Sequence, residues 1–172
     1  ESGTIAKWTP STSTNWQVVD DAGDKSLYIA TTTPEKLMVN RTYTVMSFDA
    51  DIKGATTSSY RNLSIVFGYK DANNYYHMNY CGNATNASYN GIFKVVGGTE
   101  TRIATAAASL TDATQYHHVR VTWDGATGDI KAYFDQSATP VCSINDQTHT
   151  SGQVGLWSKA RLGYFDNVEV AA

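Results

Sequence analysis

The sequence predicts an all-β fold, a two-sheet antiparallel β-sandwich, and three observations predict it. Short runs that alternate apolar and polar residues, or are rich in β-branched ones, recur along all 172 residues. Turn-forming clusters separate them: Asp71-Ala72-Asn73-Asn74, Gly97-Gly98, and the loop from Asp124 through Gly125 and Gly128 to Asp129. No segment carries a long helical period, and residues 104–110 have room only for a helical turn. About a dozen strands at this spacing favour a sandwich.

In chain order the expected strands are 16–19, 26–29, 43–52, 63–69, 75–80, 91–96, 101–106, 117–123, 130–135, 141–144, 154–158 and 163–170. Side chains alternate across a strand, so parity assigns faces. In 43–52, Met46, Phe48, Ala50 and Ile52 oppose Ser47, Asp49 and Asp51. In 75–80, Tyr76, Met78 and Tyr80 oppose Tyr75, His77 and Asn79. In 117–123, Val119, Val121 and Trp123 oppose His118, Arg120 and Thr122. In 130–135, Ile130, Ala132 and Phe134 oppose Lys131, Tyr133 and Asp135. The first set of each strand is the expected core. The second sets are expected to gather on one outer face, although parity does not assign strands to sheets. In the last strand the alternation slips. Val168 and Val170 share a face, while Phe165, three residues before Val168, falls on the other.

Composition excludes some classes. A net charge of −3 and a pI near 5.7 give nucleic acid no basic face. No apolar run reaches the length of a membrane span. Only 17% of residues are charged, while Tyr, Thr, Ser, Asn and Gly abound. That balance suits a secreted, extracellular β-protein. Cys81 and Cys142 form one disulfide or remain two buried thiols. No CxxC or HExxH motif suggests zinc. Glycosylation sequons begin at Asn40, Asn62, Asn83 and Asn86.

Five stretches carry a resemblance when taken in order: WQVVDDAGDKSLYI from Trp16, YTVMSFDADI from Tyr43, LSIVFGYKDANNYYHMNY from Leu63, YHHVRVTWDGATGDIKAYFD from Tyr116, and GQVGLWSKARLGYFDNVEV from Gly152. The chain resembles the concanavalin A-like lectin/glucanase superfamily, in its laminin G-like and 3-keto-disaccharide-hydrolase-like branch, which includes levan-binding modules. The resemblance implies a jelly-roll sandwich whose last strand runs back beside the first. It also implies a structural calcium, held by an Asp of that last strand and by backbone carbonyls of N-terminal loops. Asp166 occupies the matching position. A β-bulge at Asp166-Asn167 would bring Phe165 and Val168 both to the core and re-aim Asp166. The competing reading is that Asp166 caps a turn or accepts backbone hydrogen bonds.

This fold hosts binders and enzymes, so function must come from the site. The Glu-x-Asp-x-x-Glu strand of the superfamily's glucanases is absent. Asp49 and Asp51 are the nearest carboxylate pair for a glycosidase. Gln147-Thr148-His149 matches a lyase tripeptide but lies in a polar loop late in the chain. His117 and His118 point to opposite faces and make a poor metal pair. A sugar needs aromatic rings for its C–H face and Asp, Asn, Arg or His for its hydroxyls. The outer-face residues supply both: Tyr75, Tyr133 and Trp157 with Asp49, Asp51, His77, Asn79 and Arg120, and with Arg61 and Tyr69 at the rim. Trp157 follows the expected core residue Leu156, so it should face outward as an exposed anchor unless residues 158–162 cover it.

The expected protein is therefore a monomeric, non-catalytic carbohydrate-binding module, a single domain over residues 1–172 excised from a larger protein. It would target a secreted polysaccharide-degrading enzyme, to which it is tethered, to a polysaccharide or oligosaccharide. The first alternative is a hydrolase or lyase centred on Asp49, Asp51, Arg61 and His77. The second is a laminin G-like adhesion domain.

Overall fold

The computed structural model describes residues 14–55, 62–80, 89–107, 115–159 and 162–172, together with the backbone of residues 8–10. Arg61, Cys81, Asn83 and Asn86 lie outside the described residues.

Fourteen strands are described: β1 (Trp8–Pro10), β2 (Trp16–Asp21), β3 (Asp24–Ile29), β4 (Glu35–Tyr43), β5 (Val45–Gly54), β6 (Leu63–Asp71), β7 (Asn74–Tyr80), β8 (Gly91–Val96), β9 (Thr99–Thr105), β10 (His117–Asp124), β11 (Asp129–Phe134), β12 (Cys142–Asn145), β13 (Gly152–Ser158) and β14 (Gly163–Ala171). They form two seven-stranded sheets. Sheet I runs β1-β4-β13-β6-β7-β8-β9, and sheet II runs β12-β11-β10-β5-β14-β3-β2. Every pairing is antiparallel. The sandwich follows from the alternation, since each strand offers one apolar face and two such sheets bury them together.

The core set expected from parity is the observed core except for Phe134, which is only partly buried against it. Phe48, Ala50, Val119, Val121, Ile130, Ala132, Tyr76, Met78 and Tyr80 are fully enclosed, with Met46, Ile52 and Trp123 nearly so. Trp16 belongs to this core as well. Cys142 is a buried free thiol against the Met78 sulfur, and burial pushes its pKa up to about 12.

Two strands were not expected from the sequence. β1 has three residues. β4 contains Leu37-Met38-Val39, which does not alternate because both of its faces are covered. Leu37 enters the main core, and Met38 enters a second apolar cluster on the far side of sheet I with Val66, Tyr75, Val95 and Trp157. β14 lies between β3 and β5, one strand in from β2, rather than beside the first strand.

The slip in β14 is a β-bulge. Its pairing with β5 shifts register between Asp166 and Glu169, and Asn167 takes a left-handed φ of 46°. Phe165 is fully buried, Val168 packs on the same core, and the Asn167 side chain donates to Asp51 at 2.7 Å. Asn tolerates this backbone region, and a β-branched residue does not. Asn167→Val and Asn167→Gly both lose the Asp51 hydrogen bond, but only Val meets the backbone penalty. Asn167→Val is expected to be less stable than Asn167→Gly by about 1–2 kcal/mol in urea unfolding; equal stabilities would contradict the bulge.

Candidate functional site

The ten predicted ligand-binding residues do not share one outer face. Tyr69, Tyr75, His77, Asn79 and Trp157 stand on sheet I, whereas Asp49, Asp51, Arg120 and Tyr133 stand on sheet II, on the opposite side of the sandwich. Arg61 lies outside the described residues. Parity gave the correct facing, but sheet membership depends on how the strands pair, and the expectation of a single face is overturned.

On sheet I, β4, β13, β6, β7, β8 and β9 lie side by side, so their outward residues form rows across the sheet. Trp157 sits at the centre. Its ring meets His77 edge-on at 4.8 Å and Tyr75 at 6.0 Å, and His77 stacks on Phe93 at 4.8 Å. Tyr69 flanks Tyr75 at 5.8 Å. Trp157 does face away from the main core, but it is not an exposed anchor: only 5% of it is accessible, against 5% of Tyr75, 1% of His77 and 2% of Asn79. Two lysines cap the rings. The Lys36 ammonium lies 4.4 Å from the Trp157 centroid and 4.7 Å from Tyr75, and Lys159 lies 5.3 Å from Trp157. Glu100 reaches over from β9 to Lys159 at 2.6 Å and to His77 Nε2 at 3.1 Å.

The electrostatics fix the protonation pattern. The hydrogen bond with His77 holds the Glu100 carboxyl down at about 2, with Lys159 adding to it. Burial lowers the His77 pKa despite Glu100. His77 is therefore neutral, with Nε2–H donating to the carboxylate and a bare lone pair on Nδ1. That Nδ1 is buried without a hydrogen-bond partner, and so is the Trp157 indole Nε1–H. An unmet acceptor and an unmet donor thus stand on adjacent rings. Asn79 has no spare capacity by comparison. It accepts from Ser64 Oγ at 2.8 Å and donates to the Tyr89 carbonyl at 2.6 Å and to Asn62 at 3.1 Å, so it braces the strand ends. Burial pushes the Tyr75 phenol up to about 12.

On sheet II, His118 stands between the two predicted carboxylates, with Nδ1 2.8 Å from Asp51 and Nε2 3.2 Å from Asp49. Arg120 Nε and Ser47 Oγ also donate to Asp49, at 2.6 and 3.1 Å. A cavity of about 280 Å³ opens beside this group, lined by Asp51, Tyr116, His118, Asp135 and Gln136. The carboxylates already accept hydrogen bonds from protein partners, which leaves less of their acceptor capacity for a ligand. His117 points to the other face, stacks on Phe134 at 4.9 Å and meets Asp135 at 3.0 Å. His149 of the Gln-Thr-His match is buried, with Nε2 2.9 Å from the Val95 carbonyl and its backbone N–H donating to the Tyr76 hydroxyl, a structural role.

Asp166 is 7% accessible and accepts the Asn167 N–H at 2.8 Å. Among the described residues no three His, Cys, Asp or Glu side chains are grouped to hold a metal. A cation at Asp166 would therefore depend on carbonyl oxygens.

The sequence reading did not single out Lys36, Glu100 or Lys159 on sheet I, nor Tyr116 or Asn167 as ligand groups on sheet II. Lys36 was hidden with the unrecognised β4, and its outward position follows once Leu37 is known to face the core. Glu100 is named only by its pairing with Val95.

No protein-family model and no curated protein matches the chain. Solved structures do. A carbohydrate-binding module, CBM66 of Bacillus subtilis, is similar with a TM-score of 0.75 and 20% identity over 96% of each chain. A glycoside hydrolase family 16 endo-glucanase of Bacteroides ovatus matches with a TM-score of 0.63 and 13% identity over 95% of this chain and 94% of that one. Lectin I-B4 of Griffonia simplicifolia gives 0.62 and 12% over 99% and 94%. These likenesses establish the concanavalin A-like sandwich fold.

The Glu100 arrangement has a pH signature. Its folded-state pKa of about 2 lies below the ordinary 4.5, so its contacts contribute stability above about pH 4.5 and lose it as pH falls toward about 2. The stability gap between the protein and Glu100→Gln is expected to shrink across that window in urea titrations; a gap that does not change with pH would rule out the assigned contacts.

Proposed function

We propose that this protein is a carbohydrate-binding module whose binding face is the outer side of sheet I. One observation carries the reading: Trp157 Nε1–H and His77 Nδ1, buried and unpartnered on neighbouring rings. A hydroxyl accepts from one partner and donates to another, which is the pair of roles these two atoms leave unfilled. Lys36, Lys159 and Glu100 above the rings add polar groups for further hydroxyls. The fold is shared with a carbohydrate-binding module and a lectin, which supports the reading. In this role the domain would hold a secreted polysaccharide-degrading enzyme on its glycan outside the cell.

A second reading has its own observation. His118 between Asp49 and Asp51, beside an open cavity, resembles an acid–base centre, and the fold is also that of an endo-glucanase. On this reading the protein would cleave a glycan on sheet II.

Affinity electrophoresis against a panel of polysaccharides tests both. The protein is expected to be slowed by at least one polymer and to release no new chain ends. Trp157→Phe keeps a ring but removes the indole N–H, and is expected to weaken retention by about tenfold. Retention lost in Arg120→Ala but kept in Trp157→Phe would move the site to sheet II, and new reducing ends would make the protein an enzyme.

A structural calcium at Asp166 belongs to the same proposal. Its support is the buried Asp166 carboxylate at the bulge; the Asn167 N–H that donates to it is what the competing, metal-free reading expects. EDTA is expected to lower the melting temperature and added calcium to restore it; an unchanged temperature removes the ion from the proposal.

A further inference from the structure

We infer that the outer face of sheet II carries a second glycan site, formed by the Tyr28–Tyr164 ring pair and the cavity beside Tyr116, so that the protein holds sugar chains on both faces. The inference goes beyond the sheet I site and rests on the glycan-binding reading above only for the class of ligand.

Tyr28 and Tyr164 are paired on neighbouring strands, each next to a core residue, Leu27 or Phe165. They therefore point outward together, with ring centroids 4.8 Å apart. Both are half-buried, whereas Trp157 and Tyr75 on sheet I keep only 5% of their surface. A partly open pair of rings on a sheet is a surface on which the C–H face of a sugar packs. Lys53, the β5 partner of Tyr164, extends the row. Its ammonium lies 4.6 Å from the Tyr164 centroid and 4.6 Å from that of Tyr116, and it is ion-paired with Asp21. Asp21 also accepts the Tyr116 hydroxyl at 2.8 Å. With that pair closed, nothing at the platform calls for a charged ligand.

Tyr116 joins the platform to the cavity of about 280 Å³, whose other lining residues are Asp51, His118, Asp135 and Gln136. Asp51 and His118 lie 2.8 Å apart in a hydrogen bond, and Asn167 also donates to Asp51, so this wall is set before a ligand arrives. Asp135 and Gln136 are the central residues of a tight turn, closed by the Ser137 N–H on the Phe134 carbonyl, and both take left-handed φ, 49° and 58°. Glycine suits that backbone and glutamine is disfavoured in it. What Gln136 adds over glycine is an amide at the cavity, able to donate and to accept. Asp135 adds a half-exposed carboxylate beside His117. Strain retained where it places polar side chains at a cavity is the pattern of a binding site. The platform thus takes the apolar face of one sugar while the carboxylates and the amide take neighbouring hydroxyls of the next. The ligand that fits is a neutral glycan chain with free adjacent hydroxyls.

The test begins with affinity electrophoresis in gels of a mixed-linkage β-glucan, a xylan, a galactomannan, a fructan and, as the acidic polymer, polygalacturonate. At least one neutral gel is expected to slow the protein. Tyr28→Thr with Tyr164→Thr removes the platform and keeps the strand propensity, and is expected to weaken that retention by about tenfold; adding Trp157→Phe is expected to abolish it. The unaltered protein is expected to cross-link the same polymer in solution, seen as turbidity, and the tyrosine variant to bind without turbidity. Gln136→Gly relieves the left-handed backbone, so it is expected to weaken retention by about threefold without lowering the melting temperature. A turn of purely structural role would leave retention unchanged in that variant. If the tyrosine variant does not fold by circular dichroism, Gln136→Gly carries the test. Unchanged retention in both variants would overturn the second site while the sheet I reading stands. A clear solution with the unaltered protein, or retention lost in the tyrosine variant and untouched in Trp157→Phe, would overturn the two-faced arrangement. Retention in polygalacturonate alone would overturn the neutral ligand, and retention in no gel would remove both sites.

Discussion

Sheet I is covered on both sides, and much of the structure depends on it. Its inner residues meet sheet II in the main core, while on its outer side Met38, Val66, Tyr75, Val95 and Trp157 form a second apolar layer. That layer needs a cover, and Lys36, Lys159 and Glu100 provide it. Their stems shield the rings and their charged ends reach water, as long side chains of this kind do. The cover is polar and anchored from three different strands or strand ends.

The same constraint explains the protonation pattern. His77 is enclosed between Trp157 and Phe93 and is therefore neutral; Glu100 sits at the rim between His77 and Lys159 and is therefore ionised. A neutral imidazole that gives one proton to a carboxylate has a single lone pair left. Burial thus decides not only where the ring lies but which of its nitrogens is left without a hydrogen-bond partner. Sheet II differs: its Asp49–His118–Asp51 group lies at the solvent side and satisfies itself, with Arg120 and Asn167 completing it.

Legibility in the sequence followed the period-two rule. Where a strand had one buried face, as in β5, β10 and β11, its core residues were read correctly from alternation alone. The slip at Phe165–Val168 was legible for the same reason, because a break in a two-residue period implies an extra residue. β4 was not legible: its Leu37-Met38-Val39 run is covered on both sides and breaks the polar alternation that would announce a strand. Trp157 was half legible. Its outward direction followed from Leu156, but its burial follows from Lys36 and Lys159, which approach from other parts of the chain.

The sequence by itself determined the sandwich, the identity of most core residues and the bulge at Asp166–Asn167, since each follows from interactions between residues near in the chain. Only the tertiary structure decided which strands share a sheet. It thereby parted Asp49, Asp51, Arg120 and Tyr133 from Trp157, Tyr75 and His77, and brought Lys36, Glu100 and Lys159 together over one indole. Strand order is set by pairing between distant segments, and side-chain periodicity carries no record of which neighbour a strand will choose.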